Sequence, residues 1–157
     1  MGELRASRCF PKALRLRRSA DFARIAQDRS GPHFSRSWIA LSALARSPAA
    51  PAAASGPAVP VVALPDSQSL RVGFTASRRM AARSVERNRV KRVLREALRH
   101  SDLAARARAG SVAMPIDVVL RLRSPLPKAG VQGLAHVKRE LRSQADALLR
   151  RLAAIAG

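Results

Sequence analysis

Three consecutive segments in the middle of the chain do most to limit how it can fold. "LRVGFTAS" puts Leu70, Val72, Phe74 and Ala76 on one side of an extended backbone and Arg71, Gly73 and Thr75 on the other. It reads as a half-buried strand whose second side is polar or faces a ligand. After the basic turn "RRMAARS" a helix is expected from about Val85 to His100, followed by a weakly ordered Ala/Arg stretch to Gly110. The apolar run "IDVVLRLR", Ile116 to Arg123, then reads as a buried strand. Strand, helix and strand in that order argue for a sheet covered by helices.

The flanking sequence extends this α/β or α+β pattern. Ser19 is a plausible N-cap for a short helix from about Ala20 to Asp28, with Asp21 in the first turn where it suits the helix dipole. Gly31 and Pro32 break that helix, and "RSWIALSALA", Arg36 to Ala45, reads as a strand with both faces apolar. Trp38 falls opposite Ile39 and Leu41 and is expected in the core. The closing helix "LAHVKRELRSQADALLRRLAAIA" carries Leu134, Val137, Leu141, Leu148 and Leu152 at helical intervals. The expected order is α-β-β-α-β-α.

A chain of 157 residues suits one domain. Residues 1–18 are basic and irregular and read as a flexible arm, leaving residues 19–153 as the domain. An Ala/Pro-rich insertion at 47–69, with five prolines and no basic residue, interrupts it. Its "VPVVAL" could add a short strand, but prolines on both sides argue against one.

Thirty Lys and Arg against ten Asp and Glu give a formal charge of +20, which calls for a negative partner. Nucleic acid is the first to consider and an anionic membrane the second. No apolar run approaches the roughly 18 residues of a membrane span, so no membrane partner is expected. The lone Cys9 cannot form an intramolecular disulfide, and with no secretory h-region at the start a cytoplasmic protein is expected.

The central helix carries the charge in an ordered way. Val90, Val93, Leu94, Ala97 and Leu98 fall within an arc of about 140° suited to packing. Asn88, Lys91, Arg92, Arg95 and Arg99 fall within about 100° nearly opposite. A solvated face would mix charge signs at i,i+4 spacing; this arc holds no acid, and Glu86 and Glu96 stand at its edge. The ridge therefore points to a polyanion. Arg87 and Arg89 diverge to its flanks, and the Asn88 amide between them can both donate to and accept from a folded RNA. No catalytic constellation is evident: His33, His100 and His136 are scattered, and the acids form no pair with metal-ligand spacing. No metal site, bound cofactor or small-molecule substrate is expected of the chain itself.

"VERNRVKRVLRE", preceded by "LRVGFTASRR" and followed by "IDVVLRLR", closely resembles the protein subunit of bacterial ribonuclease P. The resemblance implies an α+β fold, a small mixed sheet packed with helices like the ribosomal protein S5 domain 2-like fold. It further implies two partners, the catalytic RNA subunit and precursor tRNA, whose 5′ leader the RNA removes by endonucleolytic, metal-assisted hydrolysis. Mg2+ would belong to the holoenzyme. Carried over residue by residue, Arg87, Asn88, Arg89, Lys91, Arg92, Arg95 and Arg99 would face the RNA subunit. Phe22, Ile39, Leu41 and Thr75, with Arg87 and Lys91 at the shared edge, would bind the leader. Ala26, one turn after Phe22, departs from a family that often has a second aromatic there. A ribosomal RNA-binding or assembly protein would share the charge and the fold class, and is the alternative.

Overall fold

The computed structural model describes residues 14–46, 69–127 and 133–156. These residues form α1 (Ser19–Gln27), β1 (His33–Ser35), β2 (Ile39–Ala45), β3 (Leu70–Thr75), α2 (Ser84–Arg99), α3 (Asp102–Arg108), β4 (Ile116–Leu122) and α4 (Leu134–Ile155). The strands make one mixed sheet in the order β1-β2-β4-β3. β2 is antiparallel to β1 and β4, while β3 runs parallel to β4, the two being connected through α2 and α3.

Because β4 lies inside the sheet with a helix layer on each face, its sequence lacks clean alternation. Ile116, Val118, Leu120 and Leu122 face the larger core with Ile39, Leu41, Ala43, Leu70 and Val72. Val90, Leu94, Ala97 and Leu98 of α2 and Val137, Leu141, Ala145, Leu148, Leu149 and Leu152 of α4 close that core. On the opposite face α1 covers a smaller cluster of Leu16, Ile25, Leu44 and Val119, with Phe22 packed against it. No helix among the described residues is long and apolar enough to cross a membrane.

Several local expectations change. The first helix starts one residue earlier: Arg18 is the N-cap and makes no side-chain cap bond, so Ser19 is helical. The second segment becomes a strand only from Ile39, and Trp38, just before it, packs on the larger core while its backbone N–H donates to Gln144 Oε1 at 2.9 Å. The additional strand is β1, where Phe34 pairs with Leu41; "VPVVAL" lies outside the described residues. The approach to β1 needs Gly31, since a Cβ there would overlap the Ala43 carbonyl oxygen.

The Ala/Arg stretch contains a helix, α3. Ser101 caps it, its Oγ accepting from Ala104 N at 3.2 Å, and Leu103 and Ala104 dock in the core. In the closing helix Leu134 is not a core residue: 45% of its surface is exposed in the first turn, before α4 reaches α2 and the sheet. The basic arm also ends before residue 18. Arg15 bridges Val72 in parallel and Leu16 N donates to Val72 O at 3.1 Å, pairing backbone groups that the edge strand β3 would otherwise leave free. Leu16 is buried as a result.

Candidate nucleic-acid interface

α2 is anchored by its apolar arc, so the opposite arc has to point away from the sheet. Its N-terminal turn is held by Glu86, whose Oε2 accepts from Arg83 N at 3.3 Å, and by Arg87. The Arg87 Nη1 donates to the carbonyls of Ala81 and Ala82 at 3.0 and 2.6 Å. Arg87 thus clamps the loop before α2, a role that its place on the core-side arc explains and that charge counting missed.

The other basic side chains divide between two hollows. Asn88, Arg89 and Arg92 line one with Val85, Val93, Glu96 and Lys138 of α4. Lys91 lines another, at the ends of β3 and β4, with Thr75, Arg121 and Arg123. Arg95 and Arg99 continue the ridge toward its C-terminal end and crowd one another. Burial first, and then the guanidiniums of Arg15, Arg99 and Arg92, hold Arg95 below the usual arginine value. The ridge is also less acid-free than its sequence arc suggests. Glu96 reaches Arg99 at 3.2 Å and His100 at 2.9 Å. The His100 hydrogen bond, with a smaller contribution from Arg99, lowers the Glu96 carboxyl against an upward push from burial.

The α1 side of the sheet is organised by a buried carboxylate. Asp117 is wholly buried on β4, where its oxygens accept from Arg71 Nε at 2.8 Å, Arg71 Nη2 at 2.6 Å and Arg24 Nη2 at 2.6 Å. Asp21 adds a longer contact to Arg71 at 3.8 Å. These ion pairs join α1 to β3 and β4, and they use the polar face of β3 that the sequence left for a ligand.

Phe22 sits beside them, against Gly73, where a Cβ would overlap the ring. Glycine is therefore the residue that lets α1 approach the sheet. We expect Gly73→Ala to displace the Phe22 ring and lower stability by about 1–3 kcal/mol, the usual cost of overpacking, as read by thermal or urea unfolding. Unchanged stability would contradict the close approach.

The structure brings Thr75 and Lys91 into one hollow and places Phe22, half-buried, two residues along the same side of β3. It separates Ile39 and Leu41 from them. Both are fully buried beneath the helices on the opposite face, so the expectation that they line a leader cleft is corrected. The residues of β2 that turn to the α1 side are Ala40, Ser42 and Leu44, opposite Arg121, Val119 and Asp117. Sequence reasoning missed Arg121 and Lys138 as neighbours of the basic helix. The Arg121/Arg123 alternation in "LRLR" was the available signal for Arg121; Lys138 carried none.

A family model described as Ribonuclease P matches residues 10–153. The ribonuclease P protein components of Bordetella avium and Bordetella parapertussis are each 41% identical to the chain over 83 residues, 53% of its length. Those alignments cover 60% and 58% of the two relatives, less than two thirds of either. Among solved structures, the Staphylococcus aureus RNase P protein superposes with a TM-score of 0.54 at 16% identity, over 93% of this chain and 100% of the other. The Thermotoga maritima RNase P protein does so with a TM-score of 0.54 at 19% identity, over 87% and 96%. At those identities the structural likeness is one of fold, and the fold is the same α+β arrangement.

Proposed function

The chain belongs to the ribonuclease P protein family, and from that premise we propose that it is the RNA-binding protein subunit of a cytoplasmic ribonuclease P active in tRNA processing. In this reading α2 binds the catalytic RNA through Asn88, Arg89, Lys91, Arg92, Arg95 and Arg99. The α1 side of the sheet receives the single-stranded 5′ leader of precursor tRNA. The observation that carries the reading is the hollow shared by Lys91 and Thr75, with Arg121 and Arg123. There the basic helix and the open end of the sheet meet, so one RNA on α2 and another on the sheet would be held side by side. The half-buried Phe22 supplies an aromatic ring against Gly73, two residues from Thr75 on the same side of β3, and stacking is indifferent to base identity.

Hydrolysis is assigned to the RNA subunit and its Mg2+. Three of the described acids are already taken up by cations: Asp117 lies between Arg24 and Arg71, Glu96 between Arg99 and His100, and Asp146 against Arg142. No three His, Cys, Asp or Glu side chains come together as a metal-holding group among the described residues. The contribution of the protein is charge and position.

Reconstituting precursor tRNA cleavage with the protein, the RNA, or both tests the division of labour, and cleavage by the protein alone would overturn it. For a leader that neutralises about six phosphate contacts, the log-log dependence of affinity on salt should have a slope of about −4, from roughly −0.7 per contact. A flat response would exclude the electrostatic part of the proposal. Phe22→Ala should weaken leader-bearing substrate by about 1–2 kcal/mol relative to mature tRNA, the scale of one lost stacking contact. Equal weakening of both forms would favour the ribosomal RNA-binding alternative, which has no leader to distinguish.

A further inference from the structure

Among the described residues, the guanidinium of Arg121 on the α1 side of the sheet stands without a partner. On β4, Asp117 and Val119 precede Arg121 on this side and both are buried, whereas Arg121 is exposed. Ala40 and Thr75 flank it in register on the two neighbouring strands. Neither can neutralise it. Among the described residues Arg121 has no hydrogen bond and no ion pair, unlike Arg71 and Arg24 on the same side. An interior strand therefore presents a full set of guanidinium donors outward, between neighbours too small to cover them.

Arg121 also lies where two hollows meet. On one side is the hollow with Thr75 and Lys91. On the other is a hollow below the end of α1, lined by Ala26, His33 and Ser42 as well as Arg121. It stays open because the α1 residue above it, Ala26, has only a methyl group. At its floor His33 Nδ1 and Ser42 Oγ are 2.8 Å apart, a polar pair on the surface of β1 and β2. The loop after α1 adds Arg29 and Asp28 to its lining, with Asp28 Oδ1 accepting from Ser30 N at 2.9 Å. A polyanion would run from the Lys91 end past Arg121 toward Arg29.

The geometry points to Arg121 as a leader-binding residue that grips a nucleotide whatever its base and leads the strand into a second subsite at His33 and Ser42. The inference rests on the reading of this side of the sheet as leader-binding. A planar guanidinium can fork a phosphate or stack on a base, whereas an ammonium meets a phosphate only as a point charge. Arg121 thus supplies sequence-tolerant contact over the stretch where α1 offers only Ala26.

The test uses the full chain reconstituted with the catalytic RNA. Affinities are measured for precursor tRNAs whose leaders are lengthened one nucleotide at a time, and for mature tRNA, with thermal melting of each variant as a check on folding. Arg121→Ala should weaken the longer leaders about tenfold, within the range of one lost stacking or forked contact, and leave mature tRNA unchanged. It should also reduce the salt slope by about 0.7. Arg121→Lys should recover part of the loss, and His33→Ala should weaken only leaders long enough to pass Arg121. If Lys91→Ala weakens leader binding and Arg121→Ala does not, the second subsite is refuted while the leader reading stands. If neither variant has an effect, both fall. Equal loss for leader-bearing and mature tRNA in Arg121→Ala would also refute the subsite.

Discussion

Replacing Arg89 and Arg92 together by alanine should weaken binding to the RNA subunit about a hundredfold while leaving the fold intact. Both side chains line the hollow between α2 and Lys138 of α4, on the side of the helix away from its buried arc. A hydrogen bond to a charged group contributes about 1.5–3 kcal/mol. Two such contacts at the low end come to about 3 kcal/mol, or two powers of ten in Kd. The salt slope should fall by about 1.4 to 1.8, at roughly 0.7–0.9 per phosphate. Stability should move by no more than about 0.5 kcal/mol, as for other surface substitutions, because Val90, Leu94, Ala97 and Leu98 keep their places. Leu94→Ala, in contrast, should cost about 2–5 kcal/mol of stability. Unchanged RNA affinity in the double variant would remove α2 as the interface.

Asp117→Asn should have the largest effect on stability among polar substitutions. Its carboxylate is wholly buried, with three donor contacts between 2.6 and 2.8 Å from Arg24 and Arg71. Removing one partner of a buried pair costs about 3–5 kcal/mol when the remaining charge stays buried. Here the Arg71 and Arg24 side chains retain 25% and 44% exposure, so water can take over part of their solvation. The expected loss is roughly 2–3 kcal/mol, below that range for this reason, or about 4–12 °C in Tm for a domain of this size. The ion pairs tie α1 to β3 and β4, whereas α2 is held by the opposite core. Leader affinity should therefore fall further than affinity for the RNA subunit. A variant with unchanged melting would show that α1 is held by Ile25 and Phe22 alone.

The two faces of α2 were legible because helical periodicity is local. Residues three and four apart share a face whatever the rest of the chain does, and an apolar arc of Val90, Leu94, Ala97 and Leu98 can only turn inward. The clean alternation of β3 was legible for the same reason. β2 was a different case. "IALSALA" is apolar on both faces, so its sequence has no phase, and the family resemblance turned Ile39 and Leu41 toward the leader. In the structure they lie under α2 and α4 because the pairing with β4 puts Ala40, Ser42 and Leu44 on the α1 side. α3 was missed because its seven residues, five of them Ala or Arg, have little periodicity, and the helix is held by the Ser101 cap and by docking of Leu103.

From the sequence alone came an α/β or α+β chain, a strongly basic surface and a helix with one face to bury and one to present. Those properties depend on composition and on spacings of two to four residues. The tertiary structure decided which groups that surface acquires. Asp117 meets Arg71 from 46 positions away and Arg24 from 93. Lys138 reaches the hollow of Arg89 only because α4 packs along α2. Arg121 joins Thr75 and Lys91 only because β4 lies between β2 and β3. Strand order and helix placement are set by burial across the whole chain, and no local spacing encodes them.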